Sequence, residues 1–268
     1  MIDPKLQKRL TEMLRWFHAF CAEHDICYYL IGGTMLGAAR HQGFIPWDDD
    51  IDVGVPRSDY ERLMELLREP IDGYVGECAK FHEGKVSFAY GKLYDTGTTL
   101  IDNSRYSSRK GIYIDIFPLD GFGDTREDGL AHFKKIKFLE NILAIRVCAV
   151  RKGRSLLKNA AAIAGKLLPV DDQKLIRKID ALCAGRDFDR CQYVGNMMSV
   201  YREREMMPKS FFGTPTLCTF EDIQVYGVEN AESYLAQLYG DWRKLPPLEA
   251  RVSKHEHIYI NLDEPYMK

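Results

Sequence analysis

Apolar residues recur at three- and four-residue spacing from the start of the chain. Leu6, Leu10, Met13, Leu14, Phe17 and Cys21 mark one face of an amphipathic helix, with Asp3 placed to cap it and Pro4 suited to its first turn. Cys27-Tyr28-Tyr29-Leu30-Ile31 is a short apolar run that ends in Gly32-Gly33, the pattern of a buried strand entering a turn, and Thr34 to His41 predicts a short helix. After a loop over 42–49, Ile51, Val53 and Val55 alternate with Asp50, Asp52 and Gly54, so a strand is expected with its acidic residues on one face. Pro56 closes this strand, and Ser58 with Glu61 predicts a capping box for a helix reaching about Arg68. Further strands are expected over 87–94, 98–101 and 111–117; in the last, Ile112, Ile114 and Ile116 alternate with Tyr113, Asp115 and Phe117. From Glu127 to about Leu182 the pattern turns helical.

This order predicts an α/β fold in which a small mixed sheet is flanked by helices, with a helical C-terminal part. No internal repeat or low-complexity linker divides the chain, so 1–268 reads as one domain: an α/β core over 1–126 and a mainly helical cap over 127–268. With 46% hydrophobic and 28% charged residues the composition is that of a soluble globule able to bury a core. The net charge of −2 supplies no global basic field, so a nucleic-acid partner is not expected. Charge is uneven, however. Lys134, Lys135, Lys137, Arg146, Arg151, Lys152, Arg154, Lys158 and Lys166 face only one acid, Glu140, within 134–166. Such a segment is either a solvated helix face or a contact for an anionic partner or membrane surface.

The seven cysteines are scattered, odd in number and contain no Cys-x-x-Cys pair, which predicts reduced core thiols. No apolar signal stretch follows Met1, and the apolar runs near 138–150 and 156–168 are interrupted by charge and too short to span a bilayer. A cytoplasmic protein, peripheral at the inner membrane face if 134–166 binds lipid, is the expectation.

The chemistry concentrates in Gly32-Gly33-Thr34 and in Trp47-Asp48-Asp49-Asp50-Ile51-Asp52. Two carboxylates about 4 Å apart repel by about 4 kcal/mol at an effective dielectric of 20, so Asp50 and Asp52 on one strand face call for a cation. Oxygen donors with no nearby His or Cys favour Mg²⁺ or Mn²⁺. Asp115, bracketed by Ile114 and Ile116, completes the set, and Asn at any of the three is expected to leave the fold intact or more stable. Asp48 and Asp49 fit a solvated acidic turn. The glycines precede a helix start, where backbone N–H groups favour phosphate. Together these parts have the form of a metal-dependent phosphoryl or nucleotidyl transferase.

The segment Leu30 to His41, the block Gly43 to Asp52, Lys92, Ile114 to Gly121, and the C-terminal Tyr239-Gly240-Asp241-Trp242, Pro246-Pro247, Arg251 and His255 resemble the LicD family of phosphocholine transferases, relatives of fukutin and its homologues. The resemblance implies a nucleotidyltransferase-like fold. It also implies transfer of a phosphoalcohol, phosphocholine in the type members, from a CDP-alcohol to a hydroxyl of a glycan or lipid-linked glycan precursor such as lipopolysaccharide, teichoic acid or capsule, with release of CMP. By the same resemblance Asp50 and Asp52 hold the metal, with Asp115 as third ligand or general base. Gly33 and Thr34 cradle phosphate, Arg40 and Lys92 neutralise charge on the transferred group or on CMP, and His255 acts as acid or base. Arg251 belongs to the substrate-binding set, and Trp47 with Trp242 offers aromatic faces to a quaternary ammonium. Two other readings use the same parts. One is ordinary nucleotidyl transfer at the α-phosphate of an NTP, and the other is a non-catalytic regulator or glycan-binding scaffold.

Overall fold

The computed structural model describes residues 3–82, 85–102, 106, 109–148, 155–167, 169–253 and 257–267. Helix α1 (Pro4–Glu23) begins as the sequence predicts: the Asp3 carboxylate accepts from the Lys5 N–H, and Leu6, Leu10, Met13, Leu14, Phe17 and Cys21 are all buried. Strand β1 (Tyr29–Leu30) leads into α2 (Gly32–His41), and β2 (Asp52–Pro56) into α3 (Arg57–Leu66). Then follow β3 (Tyr74–Glu77), β4 (Gly91–Asp95), β5 (Thr99–Asp102), β6 (Arg109–Lys110) and the long β7 (Tyr113–Gly123). Helices α4 (Arg126–Val147), α5 (Leu156–Leu167) and α6 (Asp172–Cys183) form the helical stretch. Past Cys183 the chain returns to short strands: β8 (Tyr193–Gly195), β9 (Met207–Pro208), β10 (Thr216–Phe220), β11 (Ile223–Gly227) and β12 (His257–Asn261), with α7 (Ala231–Tyr239) between the last two.

The main sheet is mixed, in the order β1-β2-β7-β4-β3, with β8 on the far half of β7 and β9 beside β8. Only β2 and β7 run parallel. Ile51, Val53, Val55, Ile114 and Ile116 are fully buried, whereas Asp52, Tyr113, Asp115 and Phe117 are half-buried, so the period-two alternation separates a core face from a working face. Helix α3 packs against β2 and β7, α1 against β7 and β11, and α4 against β7, α5 and α6. Strand β12 pairs with β5, tying the C-terminal segment to the first half of the chain.

Several local expectations are corrected. The capping box at Ser58 and Glu61 does not form: α3 begins two residues earlier than such a box requires, at Arg57 after Pro56, and the Glu61 carboxylate is taken by Arg57 (3.3 Å) and Lys80. The strand expected over 87–94 is confined to Gly91–Asp95, with Phe88 and Tyr90 outside it and their rings near the Lys92 ammonium. The helical stretch, by contrast, ends at Cys183, close to the expected Leu182, and beyond it come short strands, loops and α7.

The basic segment 134–166 is also less uniform than its sequence. Arg146 is 6% exposed. It pairs with Asp172 and donates to the Gly165 carbonyl at 2.8 Å, so it holds α4, α5 and α6 together. Lys137 pairs with Glu140 and donates to the Ser199 carbonyl at 3.2 Å. Lys134, Lys135 and Lys166 remain on the surface, while Arg151, Lys152, Arg154 and the Lys158 side chain lie outside the described residues. None of the seven cysteines is in a disulfide. Among the described residues no helix is long and apolar enough to cross a membrane.

Candidate active site

The parallel register of β2 and β7 sets Asp52 directly beside Asp115, and the antiparallel register of β7 and β4 sets Asp115 beside Lys92. Three residues far apart in sequence therefore form a row across adjacent strands. Lys92 is buried and pairs with the Asp115 carboxylate, its ammonium 3.4 Å from the centre of the Tyr113 ring. The sequence reading assigned Lys92 to substrate phosphate; the structure places it against Asp115.

Asp50 and Asp52 face a cavity of about 760 Å³ that is also lined by Asp48, Asp115, Gly33 and Arg40. Its size lies within the range of small-molecule sites. Burial raises the pKa of Asp52 well above the ordinary carboxylate range, and the neighbouring charges of Asp50, Asp115 and Asp48 add to the rise while Lys92 opposes it. Asp48 and Asp49 do not form the solvated turn the sequence suggested. Asp48 joins the cavity, and Asp49 turns away to accept from the Ser253 hydroxyl at 3.0 Å, with His257 Nε2 3.5 Å from its other oxygen.

The glycine pair has a geometric reason. Gly32 sits at φ +55°, and a Cβ on Gly33 would lie 3.0 Å from Asp48 Oδ2. The first turn of α2 can thus lie against the aspartates. Its Gly32 N–H donates to the buried Tyr234 hydroxyl at 2.9 Å. Thr34 is buried, and its hydroxyl accepts from the Asp52 N–H at 2.8 Å, so its observed work is to fix the start of β2.

Arg40 is half-buried and donates to the Trp242 carbonyl at 2.8 Å, an anchor supplied by the C-terminal motif. Burial, with a contribution from nearby Arg251, lowers its pKa, which Tyr239 partly offsets. No carboxylate among the described residues pairs with it, although five aspartates line the same cavity. A guanidinium so placed suits an anionic ligand. Trp47 and Trp242 both line the cavity; the Arg251 guanidinium lies 5.6 Å from the Trp47 ring centre and donates to the Pro246 carbonyl at 2.9 Å. His255 lies outside the described residues.

The carboxylate set fits a hard divalent cation in donor chemistry. As placed, no three His, Cys, Asp or Glu side chains among the described residues converge closely enough to hold one, so carboxylates would have to turn toward a common point.

Sequence reasoning missed the far wall of the cavity, formed in part by Tyr90, Phe117, Asn196, Tyr201 and Glu205. Tyr90 stacks near Phe117 with ring centres 4.4 Å apart, and Tyr201 meets Tyr239 edge-on at 5.1 Å. Phe117 and Tyr239 carried a signal, as parts of the Ile114 to Gly121 segment and of the C-terminal motif; Tyr90, Asn196, Tyr201 and Glu205 carried none. Glu205, 2% exposed, sits in an Arg-Glu-Arg-Glu run that reads as surface. Burial pushes its carboxyl up to about 7, partly countered by the Ser199 hydroxyl, Lys137 and the Asn196 N–H. The folded state therefore keeps a proton that the unfolded chain releases near pH 4.5, and stability contributed by this group is full below that pH and lost as pH rises to about 7. The loss is of order 3 kcal/mol. Urea unfolding at pH 5 and pH 8 should show a smaller difference in Glu205→Gln than in wild type; equal differences would exclude Glu205 as the source.

The family described as "LicD/FKTN/FKRP, nucleotidyltransferase domain" matches residues 25–144, which include β2, β4 and all of β7. The Haemophilus influenzae lipopolysaccharide cholinephosphotransferase LicD is 31% identical over 253 residues, covering 92% of this chain and 94% of that protein. Human ribitol 5-phosphate transferase FKRP is 26% identical over 142 residues, or 52% of this chain and 26% of that protein. Yeast mannosyltransferase regulator 4 shares 26% identity over 142 residues but only 12% of its own length. The near-full-length match extends through the C-terminal segment that anchors Arg40, and the chain belongs to the LicD family of phosphotransferases.

Proposed function

We propose that this protein transfers a phosphoalcohol, phosphocholine in the leading case, from a CDP-alcohol to a hydroxyl of a lipopolysaccharide-type glycan precursor and releases CMP. The observation that carries the reading is the pairing, in one cavity, of Asp48, Asp50, Asp52 and Asp115 with an Arg40 guanidinium that has no carboxylate partner among the described residues. That arrangement separates a cation-seeking side from an anion-seeking side, as a phosphorylated donor requires.

In this reading the acceptor hydroxyl oxygen forms a bond to the phosphorus bearing the alcohol. The bond from that phosphorus to the bridging oxygen breaks, and its electron pair leaves on the phosphate of CMP. The hydroxyl proton passes to a carboxylate of the Asp50, Asp52 and Asp115 group or to His255. Asp50, Asp52 and Asp115 are the residues that would hold Mg²⁺ or Mn²⁺, which when bound polarises phosphate and offsets charge on the leaving oxygen. Arg40 orients the anionic donor, Gly33 lets it approach α2, and Trp47 with Trp242 offers ring faces to a cationic alcohol. Lys92 holds Asp115 in place.

Incubation with CDP-choline, other CDP-alcohols and CTP, followed by mass spectrometry of the acceptor, tests the reading. A phosphoalcohol adduct with CMP release is expected. A cytidylyl adduct from CTP with pyrophosphate release, and none from any CDP-alcohol, would establish ordinary nucleotidyl transfer instead.

We further propose contact of 134–166 with an anionic membrane surface that presents a lipid-linked acceptor. Helix α5 exposes Leu157 (82%) near its start and Leu167 (81%) at its end, the latter next in sequence to the surface residue Lys166. Binding to vesicles containing anionic lipid should be measurable at low salt and weaken steeply as salt is added. Absence of binding at low salt would return the segment to a solvated face.

A further inference from the structure

A second cavity, of about 390 Å³, lies between α4 and the irregular segment 85–90. Tyr90, Met198, Ser199 and Val200 contribute to the walls of both this cavity and the aspartate cavity. The rings of Phe88 and Tyr90 lie 5.1 Å apart and those of Tyr90 and Phe117 4.4 Å apart. An aromatic row thus runs from the second cavity to Phe117, two residues beyond Asp115. The opposite wall comes from α4, which presents Lys137, Glu140, Asn141 and Ala144. Asn141 and Ala144 are exposed, so this wall is open to a ligand.

We infer that the second cavity seats a sugar ring of the acceptor, with its apolar C–H face on Phe88 and its hydroxyl rim toward Asn141 and the Lys137–Glu140 pair. The inference rests on the phosphoalcohol-transfer reading, which needs an acceptor hydroxyl brought next to the carboxylates. A sugar is amphipathic in the way this cavity is: aromatic and aliphatic side chains, Leu143 and Val147 of α4 among them, are interspersed with the Asn141 amide, the Lys137 ammonium, the Arg202 guanidinium and the Glu140 carboxylate. The shared wall gives the bound ring a short route to the reacting phosphorus. A purely aliphatic ligand would lay its chain against the Asn141 amide and the charged Lys137–Glu140 pair, which favours a sugar over a lipid chain.

Filling the cavity tests this. Ala144→Trp adds an indole at an exposed helical position that lines the space without replacing a core side chain. Saturation-transfer NMR with glucose, galactose and N-acetylgalactosamine as probes should detect binding to the wild type. That binding should weaken about tenfold or more in Ala144→Trp, while CDP-choline binding is unchanged. Asn141→Ala, which removes a hydrogen-bonding group without adding bulk, should weaken sugar binding in the same direction, so the test survives if the Trp variant fails to fold. No sugar binding to the wild type, equal sugar binding in both variants, or parallel loss of sugar and CDP-choline would overturn the assignment. Sugar binding that is lost in the variants, with no CMP from any CDP-alcohol, would uphold the subsite and overturn the donor reading alone.

Discussion

Asp52→Asn is expected to lower phosphoalcohol transfer by about a thousandfold, the scale found when one preorganised charge-stabilising group is removed from an active site. Asp52 is enclosed, beside three other aspartates, and its burial already works against its charge. Removing that charge should leave the metal-free protein as stable as wild type or more so, so activity and stability should move in opposite directions. Asp50→Asn should behave similarly. Asp115→Asn should not, because Lys92 is buried against Asp115 and would lose its ionic partner. The expectation from sequence, that Asn at any of the three is neutral or stabilising, therefore fails at Asp115. Rates of CMP release, thermal melts and calorimetric titration with Mg²⁺ would together check this. Wild-type metal affinity in all three variants would remove these residues as ligands.

Arg57→Ala is expected to give the largest loss of stability. The Arg57 side chain donates from Nε to Asp120 Oδ1 at 2.7 Å, from Nη2 to Asp120 Oδ2 at 2.8 Å, and from Nη1 to Asp180 at 2.8 Å. Arg57 and Asp180 are each 8% exposed and Asp120 1%. Burial raises the Asp120 pKa even against the pull of Arg57, so the carboxylate depends on its partner for its charge. Removing one member of such a buried group costs about 3–5 kcal/mol because the others stay desolvated without a counter-charge. The cluster joins α3 to β7 and α6, so the melt should shift by about 5–9 °C for a chain of this size. Arg57→Lys should recover only part, since an ammonium cannot donate in parallel to both Asp120 oxygens. A shift of only a degree or two in Arg57→Ala would show that the pocket rehydrates readily.

The helix of 4–23, the alternation about Asp52 and Asp115, and the helical stretch from 126 to 183 were legible because each depends on a local period of apolar residues that one buried face imposes. The glycine pair and the aspartate block were legible as chemistry, since clustered carboxylates beside a helix start are costly unless a ligand offsets them. What the sequence could not contain was register. Asp52 meets Asp115, and Asp115 meets Lys92, only because β2, β7 and β4 are neighbours with that alignment. Long-range hydrogen bonding and ion pairing likewise occupied Thr34 of α2 and Lys92 of β4, which look available in one dimension, while Arg40 faces the cavity without a carboxylate partner among the described residues. The far wall of the cavity, with Glu205 and Tyr201, is assembled from the segment after α6, whose polar run reads as surface until long-range contacts bury it. Local periodicity and residue chemistry thus determined the elements and the reacting carboxylates, whereas strand order and burial, which depend on residues distant in the chain, decided their partners and the shape of the space they face.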